Sequence, residues 1–282
     1  MEKKIIGIVF RVKNPKDLAK WYQNVLGMKI TNENGDDSKW LCEYEGQGAR
    51  VKLIQGSGSA FKADRGSVYW KIGLALPDVD LAREKISSKG TSVSLPSQFK
   101  DIGYLCHCAD PDGFSIELLQ HTFEENFVKP QIQQDLALGQ KGLIGQITLR
   151  CSDIEKSLKF YQDLIGMKLL SIQDQVKDYG FTLYFLAFTR EDAPLPDLES
   201  PKIREWLWQR PYTTLELQYI SGGSFKGMSK ENLGVDSMQI RASKSVKENL
   251  INAGIQLVQN SKDHCQAYDP DGALVSISFT DA

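Results

Sequence analysis

Apolar and polar positions repeat one strand-then-helix pattern at two distant places in the chain. Strand-like residues 8–12 precede an amphipathic helix pattern that ends at Gly27, and strand-like residues 147–151 precede one that ends at Gly166. The apolar positions at 3/4 spacing are Leu18, Trp21, Tyr22 and Val25 in the first helix and Leu158, Tyr161 and Ile165 in the second. Glycine favours the left-handed conformation in which helices commonly end. We therefore predict an internal repeat.

A second repeated motif indicates that each of the two repeats is itself double. The sequence Asp-Pro-Asp-Gly occurs at 110–113 and at 269–272, where proline and glycine predict a tight turn. Before each turn lies another strand pattern followed by a helix pattern, which ends at Gly90 in the first half and at Gly254 in the second. The sequence therefore predicts four units, over residues 4–57, 67–122, 143–222 and 234–281.

The four units predict two domains. The first half spans 1–122 and the second spans 143–282, and each contains two units. The polar residues 123–142 are interpreted as the linker, and residues 190–201, rich in Asp, Glu and Pro, as a surface loop. A length of 282 residues agrees with two domains at roughly 150 residues each.

Composition and charge narrow the class of protein. Hydrophobic residues make up 41% of the chain, which is enough for a packed core, and the net charge of −2 argues against nucleic acid as a partner. No apolar run approaches the ~18 residues that a membrane span needs. The N-terminus carries no signal-peptide pattern, and five scattered cysteines indicate reduced thiols. We therefore expect a cytoplasmic protein without a membrane segment.

These motifs together resemble the glyoxalase I branch of the vicinal-oxygen-chelate superfamily. The strand–helix opening, the Leu-Gly-Met sequence at 26–28 and the Asp-Pro-Asp-Gly turn are marks of the superfamily, and the closer match to glyoxalase I lies within 146–217. The resemblance implies an α+β fold of four βαβββ modules, paired into two glyoxalase/bleomycin-resistance-type halves with curved mixed sheets. It also implies that one chain acts as a fused pseudo-dimer, and therefore as a monomer.

In that family two modules enclose one divalent metal, zinc or nickel. Carried over by motif, the resemblance makes Gln146, Glu216 and Glu117 the metal ligands. The fourth ligand position falls on Lys71, which departs from the family pattern because an ammonium group donates hydrogen bonds and ligates no metal unless it is deprotonated. This site would join the third module to the second.

The opposite pairing of modules offers weaker ligands. Its four positions fall on Gly7, Lys52, Ser237 and Ser276, none of which suits a divalent metal. We therefore expect one candidate site and one vestigial site.

The resemblance implies a lactoylglutathione lyase reaction, in which the hemithioacetal of methylglyoxal and glutathione is isomerised to S-lactoylglutathione. Glu117 would be the catalytic base that removes a carbon-bound proton. Arg150 would bind the carboxylate of the glutathione adduct, and Arg65 would be a second contact for that anion. A family asparagine four residues after the Glu216 position is Ile220 here, which weakens the case for glutathione.

Lys71 leaves three alternatives open. Three oxygen ligands could still hold a metal; the Lys71 ammonium could replace the cation and polarise a substrate oxygen as a second catalytic group; or the ion pair could be structural in a metal-free binding protein or pseudoenzyme. A ring-cleaving dioxygenase is a third class of function, beside the lyase and the metal-free binding protein. It has less support because it needs two histidines and a carboxylate on iron, and no first-strand ligand position here holds a histidine. Strand alternation places His107 on the opposite face from Cys106 and Cys108, which argues against a metal cluster there.

Overall fold

The computed structural model describes residues 2–46, 48–228 and 232–280. The ends of the predicted halves, residue 1 and residues 281–282, lie outside this description. Module 1 contains β1 (Lys4–Val12), α1 (Pro15–Leu26), β2 (Lys29–Asn32), β3 (Lys39–Glu43) and β4 (Arg50–Gln55). Module 2 contains β5 (Tyr69–Leu76), α2 (Val79–Ser88), β6 (Ser97–Phe99), β7 (Gly103–Ala109) and β8 (Ser115–Gln120).

The second half repeats this order with additions. Module 3 contains β9 (Leu143–Cys151), α3 (Ile154–Leu158), β10 (Lys168–Gln175), α4 (Val176–Tyr179), β11 (Phe181–Ala187), α5 (Arg204–Trp208) and β12 (Thr214–Tyr219). Module 4 contains β13 (Gly234–Ser243), α6 (Ser245–Asn252), β14 (Leu257–Asn260), β15 (His264–Tyr268) and β16 (Leu274–Thr280). The helix that begins with α3 continues through a π-helical turn over Lys159–Leu164.

Two mixed eight-stranded sheets form the molecule, and each combines one module from either half. One sheet has the order β14-β15-β16-β13-β1-β4-β3-β2 and joins modules 4 and 1. The other has the order β10-β11-β12-β9-β5-β8-β7-β6 and joins modules 3 and 2. In both sheets the first strands of the two modules pair antiparallel at the centre. The α+β fold class with curved mixed sheets is thereby confirmed.

The predicted helix ends follow local chemistry. Asn14 accepts a hydrogen bond from the backbone N–H of Asp17, and Pro15 occupies the first position of α1, where its missing N–H is not needed. Asp78 caps α2 in the same way. Gly27 adopts φ +73°, so that the helix ends where the sequence predicts.

The two Asp-Pro-Asp-Gly turns have the same internal hydrogen bonds. In the first turn, Asp110 accepts bonds from the backbone N–H groups of Asp112 and Phe114, at 3.0 and 2.9 Å. Its other oxygen accepts a bond of 2.9 Å from the Tyr22 hydroxyl on α1. Asp269 repeats the arrangement with the hydroxyl of Tyr161 at 2.8 Å. Each aspartate therefore ties a turn to the helix of another module.

Burial raises the pKa of both aspartates to about 7. The usual value in an unfolded chain is near 3.9, so between these values the folded protein binds more protons than the unfolded chain. Stability therefore falls as the pH rises through this window. We expect the free energy of unfolding to drop by roughly 2 kcal/mol per aspartate between pH 5 and pH 8.

Chemical denaturation across that pH range tests this expectation. The double variant Asp110→Asn, Asp269→Asn keeps an acceptor oxygen for the turn N–H groups but cannot titrate. Its stability should depend less steeply on pH than that of the parent protein. A parent stability that is flat or rises between pH 5 and pH 8 would contradict the raised pKa values.

The insertion in module 3 packs across the sheet of modules 2 and 3. Residues 190–201 lie largely at the surface as predicted, but the chain then forms α5, which was not predicted from the sequence. Arg204 on α5 is buried and forms an ion pair with Asp101. The indole N–H of Trp208 donates a 3.0 Å hydrogen bond to the carbonyl of Ile102. The insertion therefore fastens module 3 to module 2.

Among the helices that the structure describes, none combines the length and apolar character needed to cross a membrane.

Candidate functional site between modules 2 and 3

The antiparallel pairing of β5 and β9 brings the first strands of modules 2 and 3 side by side. Lys71 lies opposite Thr148, and Gly73 lies opposite Gln146. Residues two apart on a strand share a face, and so do residues directly opposite on neighbouring strands. These four positions therefore lie on one face at the centre of the sheet.

The last strand of each module adds one glutamate to that face. On β8, Glu117 pairs with Gly73 of β5, and on β12, Glu216 pairs with Thr148 of β9. The two glutamates thus flank the central strand pair symmetrically. The register brings together all four residues that the resemblance assigns to the metal-site positions.

Lys71 lies at the centre of this group, with only 2% of its surface exposed. Its ammonium donates hydrogen bonds to Glu117 Oε1 at 2.9 Å and to Glu216 Oε2 at 3.0 Å. The Gln146 side-chain amide donates to Glu117 Oε1 at 2.6 Å, and the Thr148 hydroxyl donates to Glu216 Oε2 at 2.7 Å. We call these five residues the Lys71 cluster.

Gly73 makes room for the Gln146 side chain. A Cβ atom at Gly73 would lie 2.4 Å from Gln146 Cγ and 2.8 Å from its Nε2, which is closer than van der Waals contact permits. The absence of a side chain at this position therefore lets Gln146 lie across β5 and reach Glu117.

His107 approaches the cluster from β7, where it lies opposite Glu117. Its Nε2 lies 3.1 Å from Glu117 Oε2, so that both oxygens of Glu117 have partners. Cys106 and Cys108 are buried on the other face of the strand, as strand alternation predicts. The contact between His107 and Glu117 was not predicted from the sequence, because it depends on the register of β7 and β8.

In the Lys71 cluster, burial and neighbouring charges shift the pKa values of the ionisable side chains, often in opposite directions. Burial would raise the pKa of Glu117, but the positive charge of Lys71 and the hydrogen bond with His107 outweigh it and lower that pKa to about 2. Burial and the negative charge of Glu117 raise the pKa of Glu216. Burial alone would lower the pKa of Lys71, yet its two glutamate neighbours raise it. Lys71 and Glu117 therefore form a charged pair at neutral pH, and Glu216 takes up a proton more readily than Glu117 does.

An apolar cavity of about 190 Å³ opens above the cluster. Lys71, Glu117, Glu216, Gln146 and His107 form its polar end. Aromatic side chains make up much of the remaining wall, namely Trp70, Phe99, Tyr179, Phe181, Phe185 and Trp208. An apolar cavity with a few converging polar groups is the usual form of a small-molecule site.

Arg150 lies further along β9, outside the lining of this cavity, with its guanidinium 5.4 Å from the ring centroid of Trp70. Its guanidinium is buried and donates hydrogen bonds to backbone carbonyls in the preceding loop, at 2.8 Å from Ser67 and 3.1 Å from Asp64. Arg65 is exposed in the same loop. Substrate binding by these two arginines stays a prediction. In the structure, the hydrogen bonds of Arg150 stabilise the loop that precedes β5.

Two residues that directly follow the last strands of modules 3 and 2 lie away from the cavity. Ile220 directly follows β12, and its backbone N–H donates to the carbonyl of Cys151. His121 follows β8, and its backbone N–H donates to the carbonyl of Leu76. Neither residue lines the cavity.

The other sheet carries the four positions that the sequence analysis assigned to a vestigial site. Its pairing places Gln239 beside Ser276, just as Gly73 lies beside Glu117. Ser237, two residues before Gln239, therefore corresponds to Lys71. Lys52 forms an ion pair with Glu33, and Ser276 lies 2.8 Å from His264. The register agrees with the four positions assigned from the sequence, which are Gly7, Lys52, Ser237 and Ser276.

The Lys71 cluster as arranged does not fit a divalent cation. The Lys71 ammonium already lies between the two carboxylates that would bind it, and Gln146 turns an amide N–H₂ group, not its oxygen, toward Glu117. Within residues 2–46, 48–228 and 232–280, no three His, Cys, Asp or Glu side chains are grouped to hold a metal ion.

A family model described as the Glyoxalase/Bleomycin resistance protein/Dioxygenase superfamily matches residues 4–118 and 143–209. The chain therefore belongs to this superfamily, and the resemblance found in the sequence is confirmed.

The chain is also similar to curated proteins and to a solved structure that carry the name lactoylglutathione lyase or glyoxalase I. The chain is 27% identical over 206 residues to a probable chloroplastic lactoylglutathione lyase of Arabidopsis thaliana, covering 70% of this chain and 53% of that protein. It is 42% identical over 215 residues to glyoxalase I of Saccharomyces cerevisiae, covering 63% and 61%. The chain thus spans little more than half the length of these relatives. The crystal structure of glyoxalase I from Zea mays superposes with a TM-score of 0.68 at 23% identity, over 99% of this chain and 92% of that one, which shows the shared fold.

Proposed function

We propose that this glyoxalase I-like protein binds a small molecule between modules 2 and 3 without a metal ion. The single observation that carries the proposal is the Lys71 ammonium, buried within hydrogen-bond distance of both glutamates at the place where a cation would bind. The ammonium supplies the positive charge that two adjacent carboxylates require. The cavity above it supplies an apolar surface for a ligand.

The glyoxalase I relatives favour a second candidate, a lactoylglutathione lyase. Glu117, Glu216 and Gln146 would then act as oxygen ligands of zinc or nickel, once Lys71 had lost its proton and turned aside. The metal would stabilise an enediolate oxygen as a Lewis acid, and Glu117 would be the base. The raised pKa of Lys71 opposes this rearrangement, since it favours the charged ammonium.

Metal analysis and a lyase assay on the purified full chain separate the two candidates. We expect far less than one zinc or nickel ion per chain. We also expect no turnover of methylglyoxal with glutathione, even with added zinc, nickel or cobalt. Stoichiometric metal together with lyase turnover would overturn the metal-free proposal and establish the second candidate.

A further inference from the structure

We propose that the cavity takes a single aromatic ring that carries a hydrogen-bond donor, such as a phenol or an aromatic amine. The ring would lie among the aromatic side chains, and its donor would bond to Glu216 Oε1 and Gln146 Oε1. This inference rests on the proposed metal-free site, because a metal ion would occupy those same oxygens.

The size of the cavity sets the size of the ligand. Its volume is about 190 Å³, and an apolar cavity of about 150 Å³ is enough to hold benzene. Trp208 closes one side, since its bond to the Ile102 carbonyl fixes the indole, and its ring lies 5.1 Å from that of Phe185. One substituted ring therefore fits, whereas a tripeptide adduct would extend well beyond the cavity.

The wall favours an aromatic body. One face of β11 is apolar and lines the cavity. It consists of every second residue of the strand, namely Phe181, Leu183 and Phe185. Trp208 stands nearly perpendicular to Phe185, at an interplanar angle of 72°. Such edge-to-face surroundings suit a further ring, because aromatic groups attract one another in offset and perpendicular arrangements.

The polar end of the cavity offers hydrogen-bond acceptors. Glu117 uses both oxygens within the protein, and because it is an acceptor, Gln146 must direct its amide N–H₂ toward it. The Gln146 Oε1 atom is therefore turned away from Glu117. Glu216 receives both of its bonds at Oε2, and among the described residues none donates to its Oε1.

These two acceptors select the ligand's head group. Glu216 and Gln146 both line the cavity, so a ligand that enters it meets two oxygens without described donors. A hydroxyl or amino group can donate to them, whereas a carboxylate would place further acceptors against them. Leaving a buried acceptor without a donor is costly, so a ring without a donor should bind more weakly.

Calorimetric titration of the full chain with four matched rings tests this. We expect phenol or aniline, or both, to bind about tenfold more tightly than toluene, and benzoate to bind no better than toluene. The comparison of phenol with aniline shows whether the donor is a hydroxyl or an amine. Toluene binding as tightly as both donors, benzoate binding most tightly, or no ring binding at all would overturn the inference.

A variant of Glu216 locates the binding. In Glu216→Gln the amide oxygen can keep the bonds from Lys71 and Thr148, which turns the N–H₂ group toward the cavity. We expect the affinity for the tighter of phenol and aniline to fall about tenfold while that for toluene changes less than twofold. Lys52→Gln, at the corresponding position of the other sheet, should leave both affinities unchanged. An unchanged affinity in a folded Glu216→Gln protein would overturn the assignment, and the four-ring series decides the matter if that variant does not fold.

Metal analysis of the titrated sample separates this inference from the proposed function. Stoichiometric metal with lyase turnover would overturn the metal-free site itself. A metal-free sample that binds none of the four rings would leave that site standing and overturn only the ligand class.

Discussion

Lys71→Met should lower the free energy of unfolding by about 3–5 kcal/mol at pH 8, the range found when one partner of a buried ion pair is removed. Methionine keeps an unbranched apolar side chain but removes the ammonium. Glu117 and Glu216 then remain buried near each other without the cation that lies between them in the parent protein.

The loss should shrink as the pH falls toward 5. Without Lys71 the pKa values of both glutamates rise, because burial and mutual repulsion favour the protonated forms. A group whose pKa is raised on folding stabilises the protein at low pH and loses that contribution as the pH increases. Chemical denaturation at several pH values measures the effect.

Lys52→Met is the matched control in the other sheet. Lys52 forms an ion pair with Glu33, but the two side chains are 22% and 25% exposed, so this pair should contribute less than about 1 kcal/mol. Equal losses in Lys71→Met and Lys52→Met would show that the Lys71 cluster contributes no special stability.

Lys71→His should convert the site into one that binds a divalent metal. The substitution removes the ammonium and introduces an imidazole next to Glu117, Glu216 and Gln146, which makes one nitrogen and three oxygens available to zinc or nickel. We expect about one ion per chain in the variant, and far less than one in the parent protein, by metal analysis after equilibrium dialysis.

Ser237→His tests whether the neighbouring glutamates matter. Ser237 corresponds to Lys71, but the sheet of modules 1 and 4 has Lys52 and Ser276 at the glutamate positions. This control should gain no metal. If the metal content of Lys71→His stays at the parent level, Lys71 is not what prevents metal binding.

The repeated motifs were sufficient to predict much of the fold and of the cluster. The motifs align the modules with the family pattern, and that resemblance predicts that Gln146, Lys71, Glu117 and Glu216 occupy the four metal-site positions. The structure brings all four together.

Other parts of the site depend on long-range packing and left no comparable signal. The position of His107 follows from the pairing of β7 with β8 across the Asp-Pro-Asp-Gly turn. That turn was the only sequence signal for the contact, since the exact register depends on the folded hairpin. Trp208 lies in an insertion that the repeat cannot align, and its indole is held by a hydrogen bond to the distant Ile102 carbonyl. Arg150 was predicted from family position alone, whereas its bonds to the carbonyls of Asp64 and Ser67 require the folded loop before β5.

Each sheet combines one module from the first half of the chain with one from the second half, which has a consequence for synthesis and folding. Lys4 pairs with Arg241, and Tyr69 pairs with Leu149, so neither sheet is complete until the second half of the chain has been made. Until then β1 and β5 lack their partner strands from the second half, and we expect strand pairing over so long a sequence separation to make folding slow. For the same reason, we expect two fragments produced by proteolytic cleavage within 123–142 to stay associated, because strands of both fragments pair in each sheet.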